Sequence, residues 1–307
     1  MSAVRYRPMK FGVTRCALRE GPGGAVYVRA DHELHAYPRR ITDRFVHWAK
    51  TVPERVFIAR RERLADGTTG DWQRITYGEA LEKARRIGQA LIDRGLSAER
   101  PVAILSENGL EHALLALGCL YAGVPHCAVS PAYSTVSQDY DKLRHVLDTL
   151  TPGLVFAADE SPYGKAVRAA VKPGIEVVYG QPPEAEATPA VDAAMQATGP
   201  HTITKFLFTS GSTKLPKAVI NTHGMWCANQ QQMLHSMPVL GEEAPVLVDW
   251  LPWNHTFGGN HNFGLTLFHG GTLHIDDGKP TPAGIAETLR NLREIAPTVY
   301  FNVPTGF

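Results

Sequence analysis

The chain has 307 residues, with 31 Lys and Arg set against 30 Asp and Glu for a net charge of +1, whereas a protein that grips nucleic acid by its phosphates carries a strong basic excess. Its 44% hydrophobic and 20% charged residues exclude wholesale disorder and a collagen-like fibre. The length allows one large domain or two ordinary ones.

Residues 1–40 read as an irregular N-terminal arm. Arg5, Arg7, Lys10, Arg15 and Arg19 precede the first acid, Glu20, and no apolar core follows them. That pattern fits a basic surface arm rather than a secretory signal. From Ile41 the chain turns regular. Thr76 and Glu79 have the spacing of a capping box. Ala80, Leu81, Ala84, Ile87, Gly88, Leu91 and Ile92 then keep one helical face until Gly95 ends it. Residues 101–106 predict a strand, 107–123 a helix and 124–130 a second strand, a βαβ unit whose crossover should be right-handed. The nearly apolar run from Ala113 to Val124 stops at Pro125, too short to span a bilayer. Helix signals at 138–150 and 163–172 alternate with strand signals at 153–158 and 175–179. Residues 41–180 are therefore expected to form an α/β subdomain with a mainly parallel sheet.

Residues 181–200 hold four prolines and few large apolar groups, which reads as a surface linker. A second α/β subdomain is expected over 201–307. It would comprise a strand at 203–208, a polar loop at 209–217, a strand at 218–221, and a helix capped by Asn221 or Thr222 and running to about 236. A strand at 246–251, a helix at 283–296 and a strand at 298–303 would follow. A domain seldom closes four residues after a central-looking strand, so this subdomain reads as incomplete. Cys16, Cys119, Cys127 and Cys227 contain no CxxC pair. Cys119 and Cys127 read as buried thiols, with neither a disulfide framework nor a zinc site, and a reducing cytoplasm is the expected location.

The chemistry concentrates in Thr209-Ser210-Gly211-Ser212-Thr213-Lys214-Leu215-Pro216-Lys217, which sets four hydroxyls and two lysines around one glycine after an apolar strand. Hydroxyl and backbone N–H groups donate to phosphate oxygens. Gly211 permits close backbone approach, Pro216 stiffens the turn, and Lys217 can neutralise charge on a leaving pyrophosphate. Neither a Walker A motif nor a GxGxxG fingerprint is present.

At this loop the chain resembles the adenylate-forming superfamily of acyl- and aryl-CoA ligases and adenylation domains, whose phosphate loop reads roughly TSG[ST]TGxPKG. Lys214 and Ala218 stand where that pattern usually has glycine. The segments from Ile75 to Leu81 and from Leu120 to Pro125 resemble two further blocks of the family. Within it, residues 207–233, 248–264 and 276–282 resemble feruloyl-CoA synthetases most. The resemblance implies the large N-terminal α/β domain of such enzymes. It also implies ATP-dependent activation of a hydroxycinnamate such as ferulate, through an acyl-adenylate, to a thioester of coenzyme A, with Mg²⁺ bridging phosphates.

Residues carried over by the resemblance are Thr209, Ser210, Gly211, Ser212, Thr213, Lys214 and Lys217 for the nucleotide, with Lys217, Thr209 and His255 in catalytic roles. Trp253, His255, Phe257 and Gly258, in Pro252-Trp253-Asn254-His255-Thr256-Phe257 and the glycine after it, match a segment that borders the acid pocket in relatives. Trp250, Trp253, Phe257 and Phe263 would wall a flat aromatic slot, and Gly258 and Gly259 would allow close backbone approach. His255, His261, His269 and His274 lack the spacing of a metal site. The family's adenine- and ribose-binding segments and its small C-terminal domain lie downstream of the matched region. An N-terminal portion, inactive alone, is therefore expected. The expected partners are an aromatic carboxylate, ATP and CoA, with no nucleic acid or membrane. The alternatives are a non-catalytic nucleotide- or aryl-acid-binding module, or a ligase for a fatty or other aryl acid.

Overall fold

Among the described residues, short apolar runs alternating with amphipathic helices fold into three sheets. The computed structural model describes residues 10–13, 15–64, 66–209, 215–279 and 281–304. Its strands are β1 (Cys16–Glu20), β2 (Val26–Ala30), β3 (Val56–Arg63), β4 (Thr69–Thr76), β5 (Val102–Leu105), β6 (His126–Val129), β7 (Leu154–Ala157), β8 (Glu176–Tyr179), β9 (Ile203–Thr209), β10 (Lys217–Thr222), β11 (Val246–Asp249) and β12 (Thr272–Ile275). A ribbon pairs β1 with β2. A six-stranded sheet runs β10-β9-β6-β5-β7-β8, and a four-stranded sheet runs β11-β12-β3-β4. All pairs in the six-stranded sheet are parallel except β9–β10. In the smaller sheet only β3–β4 is antiparallel. The expected α/β architecture with mainly parallel sheets is the observed one.

Strands β5, β6 and β7 are buried along their whole length, as befits parallel strands covered on both faces. Side chains alternate across the sheet. Val102, Ile104, Leu154 and Phe156 enter one core with Ala84, Ile87, Leu91 and Ala113, from the helices Tyr77–Asp93 and Leu110–Ala122. Ala103, Leu105, Val155 and Ala157 enter the other with Leu143, Val146 and Tyr163, from Asp141–Leu150 and Glu160–Ala170. The capping box forms as expected: Glu79 N donates to Thr76 Oγ1 at 3.3 Å, and Thr76 N donates to Glu79 Oε2 at 2.8 Å. The buried Tyr77 hydroxyl shares its proton between Thr266 O and Gly271 O, each at 2.9 Å, and so ties that helix to the chain entering β12.

Several expectations need correction. The arm at 1–40 contains the β1–β2 ribbon, stabilised by main-chain pairing although every side chain in it is exposed. The stretch 181–200 carries the helix Pro189–Ala197, capped by Thr188 and anchored by buried Val191 and Met195. The sheets do not divide at that stretch, because β9 and β10 complete the sheet of β5–β8 while β3 and β4 join β11 and β12. Thr222 rather than Asn221 caps the helix His223–Ser236. Residues 298–303 form no strand: Thr298 and Val299 N–H groups both reach only Val246 O, and no ladder continues. Among the described residues, no helix is long and apolar enough to cross a membrane.

Candidate functional site

Parallel strands place their C-terminal ends on one edge, and open α/β sheets bind ligands in the crevice outside those ends. Here two sheets contribute such ends to one cavity of about 260 Å³. Ser106–Asn108 follow β5, Ser130–Ala132 follow β6, Trp250 and Pro252 follow β11, and Asp276 and Asp277 follow β12. Strand β5 is where the larger sheet changes direction of growth, with β6 on one side and β7 on the other.

Asn108 fastens the two sheets. Its Nδ2 donates to Leu251 O at 2.9 Å, and its Oδ1 accepts from Trp253 N at 3.0 Å. Lys279 Nζ meets Glu107 Oε2 at 2.9 Å, and Arg60 forks onto Asp277 at 2.8 and 3.1 Å. His255 lines the cavity and is exposed to it. Its carbonyl accepts from Gly259 N at 2.8 Å, which leads into a π-helical turn, Phe257–Asn262. Gly258 and Gly259 make the close approach expected of them. A Cβ on Gly258 would lie 2.3 Å from Leu251 O, and one on Gly259 would lie 2.3 Å from Trp253 O.

The expected aromatic slot is divided. Trp250 lines the cavity and donates from Nε1 to Asn302 Oδ1 at 3.1 Å. Phe257 instead packs with His261 and Phe301, at ring separations of 4.8 and 6.4 Å. Trp253 and Phe263 pack at a tilt of 56° with ring centres 5.0 Å apart inside the core. Asn108 Oδ1 accepts from the Trp253 backbone N–H, and the close-packed glycines turn the following backbone inward.

Ser210, Gly211, Ser212, Thr213 and Lys214 lie outside the described residues. Their flanks are placed: Thr209 ends β9, Lys217 opens β10, and the two face each other across the hairpin, both exposed. His126 on β6 is level with Lys205 on β9. Four residues further along each parallel strand come Ser130, which lines the cavity, and Thr209, which opens the loop. The loop thus springs from the cavity's edge of the sheet. Its far side is tethered where His145 Nε2 meets Pro216 O at 2.8 Å. Glu107, Asn108, Ser130 and Asp277 were not marked as site residues by sequence; their common signal is position immediately after an apolar strand.

Beneath the cavity, buried Asp249 accepts from Leu251 N at 3.0 Å and Asn262 Nδ2 at 2.9 Å, joining the end of β11 to the π-helical turn. Burial pushes its carboxyl up to about 7, nearby Asp276 adds to the rise, and the two hydrogen bonds oppose it. The fold therefore keeps a proton that the unfolded chain releases near pH 4, so this contribution is full below pH 4 and is lost as pH rises through about 7. Asp249→Asn is expected to gain stability relative to the parent between pH 5 and pH 8, on the order of 2 kcal/mol. Denaturant melts of both proteins check this, and parallel pH profiles would refute it.

The family described as AMP-binding enzyme matches residues 45–307. Among curated relatives, the chain is 22% identical over 283 residues to long chain acyl-CoA synthetase 6, peroxisomal, of Arabidopsis thaliana, covering 85% of this chain and 38% of the relative. It is 30% identical over 200 residues to long-chain-fatty-acid–AMP ligase FadD32 of Mycobacterium marinum, covering 63% of this chain and 30% of that protein. Among solved structures, fatty acyl-adenylate ligases from E. coli and L. pneumophila superpose with a TM-score of 0.70 at 21% identity, covering 88% of this chain and 47% of the other. VinN in complex with L-aspartate gives 0.67 at 19% identity, covering 89% and 64%. The structural likenesses speak to the fold. The chain spans less than half the length of these two curated relatives.

Proposed function

This chain belongs to the AMP-binding enzyme family, and from that premise we propose that it supplies the phosphate loop and part of the acid site of an ATP-dependent acid–CoA ligase. The observation that carries the proposal is the placement of the Thr209–Lys217 hairpin mouth on the same sheet edge as the two-sheet cavity. In the first step a carboxylate oxygen attacks the α-phosphorus of ATP, and the bond to the pyrophosphate oxygen breaks. In the second, the CoA thiol attacks the acyl carbon, gives up its proton, and releases AMP. Neither step needs a nucleophilic side chain. The protein's work is to hold anions in line and offset charge on the leaving oxygens. Thr209 and Lys217 do this from the hairpin mouth, together with Ser210, Gly211, Ser212, Thr213 and Lys214 between them. His255 is exposed to the cavity and meets the incoming acid or thiol, with Gly258 holding its segment against the β11 turn.

Among the described residues, no three His, Cys, Asp or Glu side chains converge on a metal position. Mg²⁺ would accompany the triphosphate rather than sit in a protein cluster. We assign the acid to the hydroxycinnamates, on the likeness of residues 207–233 and 248–264 to feruloyl-CoA synthetases and on Trp250 at the cavity wall. A second reading, a fatty acid, draws support from the names of the curated relatives. Pyrophosphate release by the full-length protein with ferulate, coumarate, benzoate and octanoate separates them. Ferulate or coumarate is expected to be favoured by at least about tenfold, roughly 1.4 kcal/mol in transition-state binding. Octanoate turnover with silent ferulate would transfer the assignment to fatty acids.

A further inference from the structure

Under the π-helical turn lies a second and much smaller cavity of about 20 Å³. Lys205 reaches it from β9 and His126 from β6, level with each other in the sheet. Lys205 is 4% exposed. Its Nζ donates to Gly259 O at 2.8 Å and sits 3.7 Å from the centre of the Trp226 ring. An ammonium has three donors, and one is spent on that carbonyl. Among the described residues no carboxylate lines the space, and burial alone drives the Lys205 ammonium down to about 7. Two other nitrogens on residues of this lining, His126 Nδ1 and Trp253 Nε1, are buried without a partner among the described residues. An indole N–H is a donor only, and a buried donor left unmet costs about 1–3 kcal/mol. The remaining walls include Ala116, Ala128 and Phe263, which solvate nothing.

We propose that this cavity is a buried site for one monatomic monovalent anion of the halide class, held by Lys205 Nζ and Trp253 Nε1. A buried charge is tolerated when it is paired, and an anion here supplies the counter-charge that no side chain provides. The space exceeds the roughly 10–15 Å³ needed for a single water-sized occupant and is far too small for phosphate or sulfate. Halide binding keeps the proton on Lys205, so affinity falls as pH rises through neutrality. The other titratable groups lining the space are His112, on the helix Leu110–Ala122, and His126. Burial lowers His112 to about 4 and holds His126 well below its ordinary value, so both are neutral at pH 7. The helix that brings Trp226 and the turn that brings Gly259 add no titratable side chain to the lining.

Thermal melts in sodium bromide and in sodium gluconate at equal ionic strength, with anomalous diffraction from bromide-grown crystals, test the site. Bromide is expected to raise the midpoint at pH 6 by about 2–4 °C and to give one anomalous peak in the cavity. The gain should vanish at pH 8.5 and in Lys205→Met. Trp253→Phe, which removes only the N–H-bearing part of the ring system, should lose it too, and it serves where Lys205→Met does not fold. Equal melting in both salts at pH 6, with no bromine in the cavity, would overturn the assignment in favour of a water molecule.

Discussion

Replacing Lys217 with alanine is expected to slow acid-dependent pyrophosphate release by about 100-fold or more, the usual effect of removing one positioned donor from a developing oxyanion. The fold should not notice. Lys217 is exposed at the first position of β10, opposite Thr209, and surface substitutions of this kind stay within about 0.5 kcal/mol. The preceding Pro216 is fixed by its carbonyl contact with His145, so the lysine leaves the loop in a set direction. Lys217→Arg keeps the charge but exchanges a compact ammonium for a planar fork, and only partial recovery is expected. The measurement is single-turnover adenylation in the full-length protein, beside a thermal melt of each variant. A variant with parental adenylation rate would take Lys217 out of the mechanism; one that melts early would make the kinetic loss uninformative.

Gly258→Ala should have the largest effect on stability. The added Cβ would sit 2.3 Å from Leu251 O and 2.5 Å from Pro252 O, and both are backbone atoms that cannot swing aside. Overpacking of this sort costs about 1–3 kcal/mol, and the upper end is expected here because Asn108 and Asp249 pin the same stretch of chain from two directions. For a chain this long that corresponds to a loss of roughly 3–5 °C in melting temperature. Because His255 sits three residues earlier, acid affinity should fall with it. An unchanged melt would mean that the turn after β11 is looser than its hydrogen bonds imply.

What sequence could reveal depended on the range of the interaction. Local signals were sound: the Thr76–Glu79 capping box, the glycine after the helix Tyr77–Asp93, and the strand–helix–strand rhythm from Val102 to Val129 follow from neighbours in the chain. The loop's proposed chemistry rests on hydroxyls, glycine, proline and lysine standing together in the chain. Partnerships over long separations were not. Nothing in Val56–Arg63 announces that β3 pairs with β12 more than 200 residues away. The helix Pro189–Ala197 hid in a proline-rich stretch because Pro189 is its first residue, where its missing N–H costs nothing. Trp253 shared a motif with His255 yet faces the core, its backbone N–H held by Asn108. Lys205 gave no sign at all, lying in an apolar strand as if it were a surface lysine.

The smaller sheet has a consequence for biosynthesis. Strands β3 and β4 leave the ribosome early as a hairpin, but β3's other edge is closed only by β12, after residue 275 has been made. Until then Phe57 and Ile58, fully buried in the finished domain, lie beside unpaired main-chain groups, the kind of edge that recruits foreign strands. With synthesis at about 5–20 residues per second, the nascent chain carries that open edge for tens of seconds.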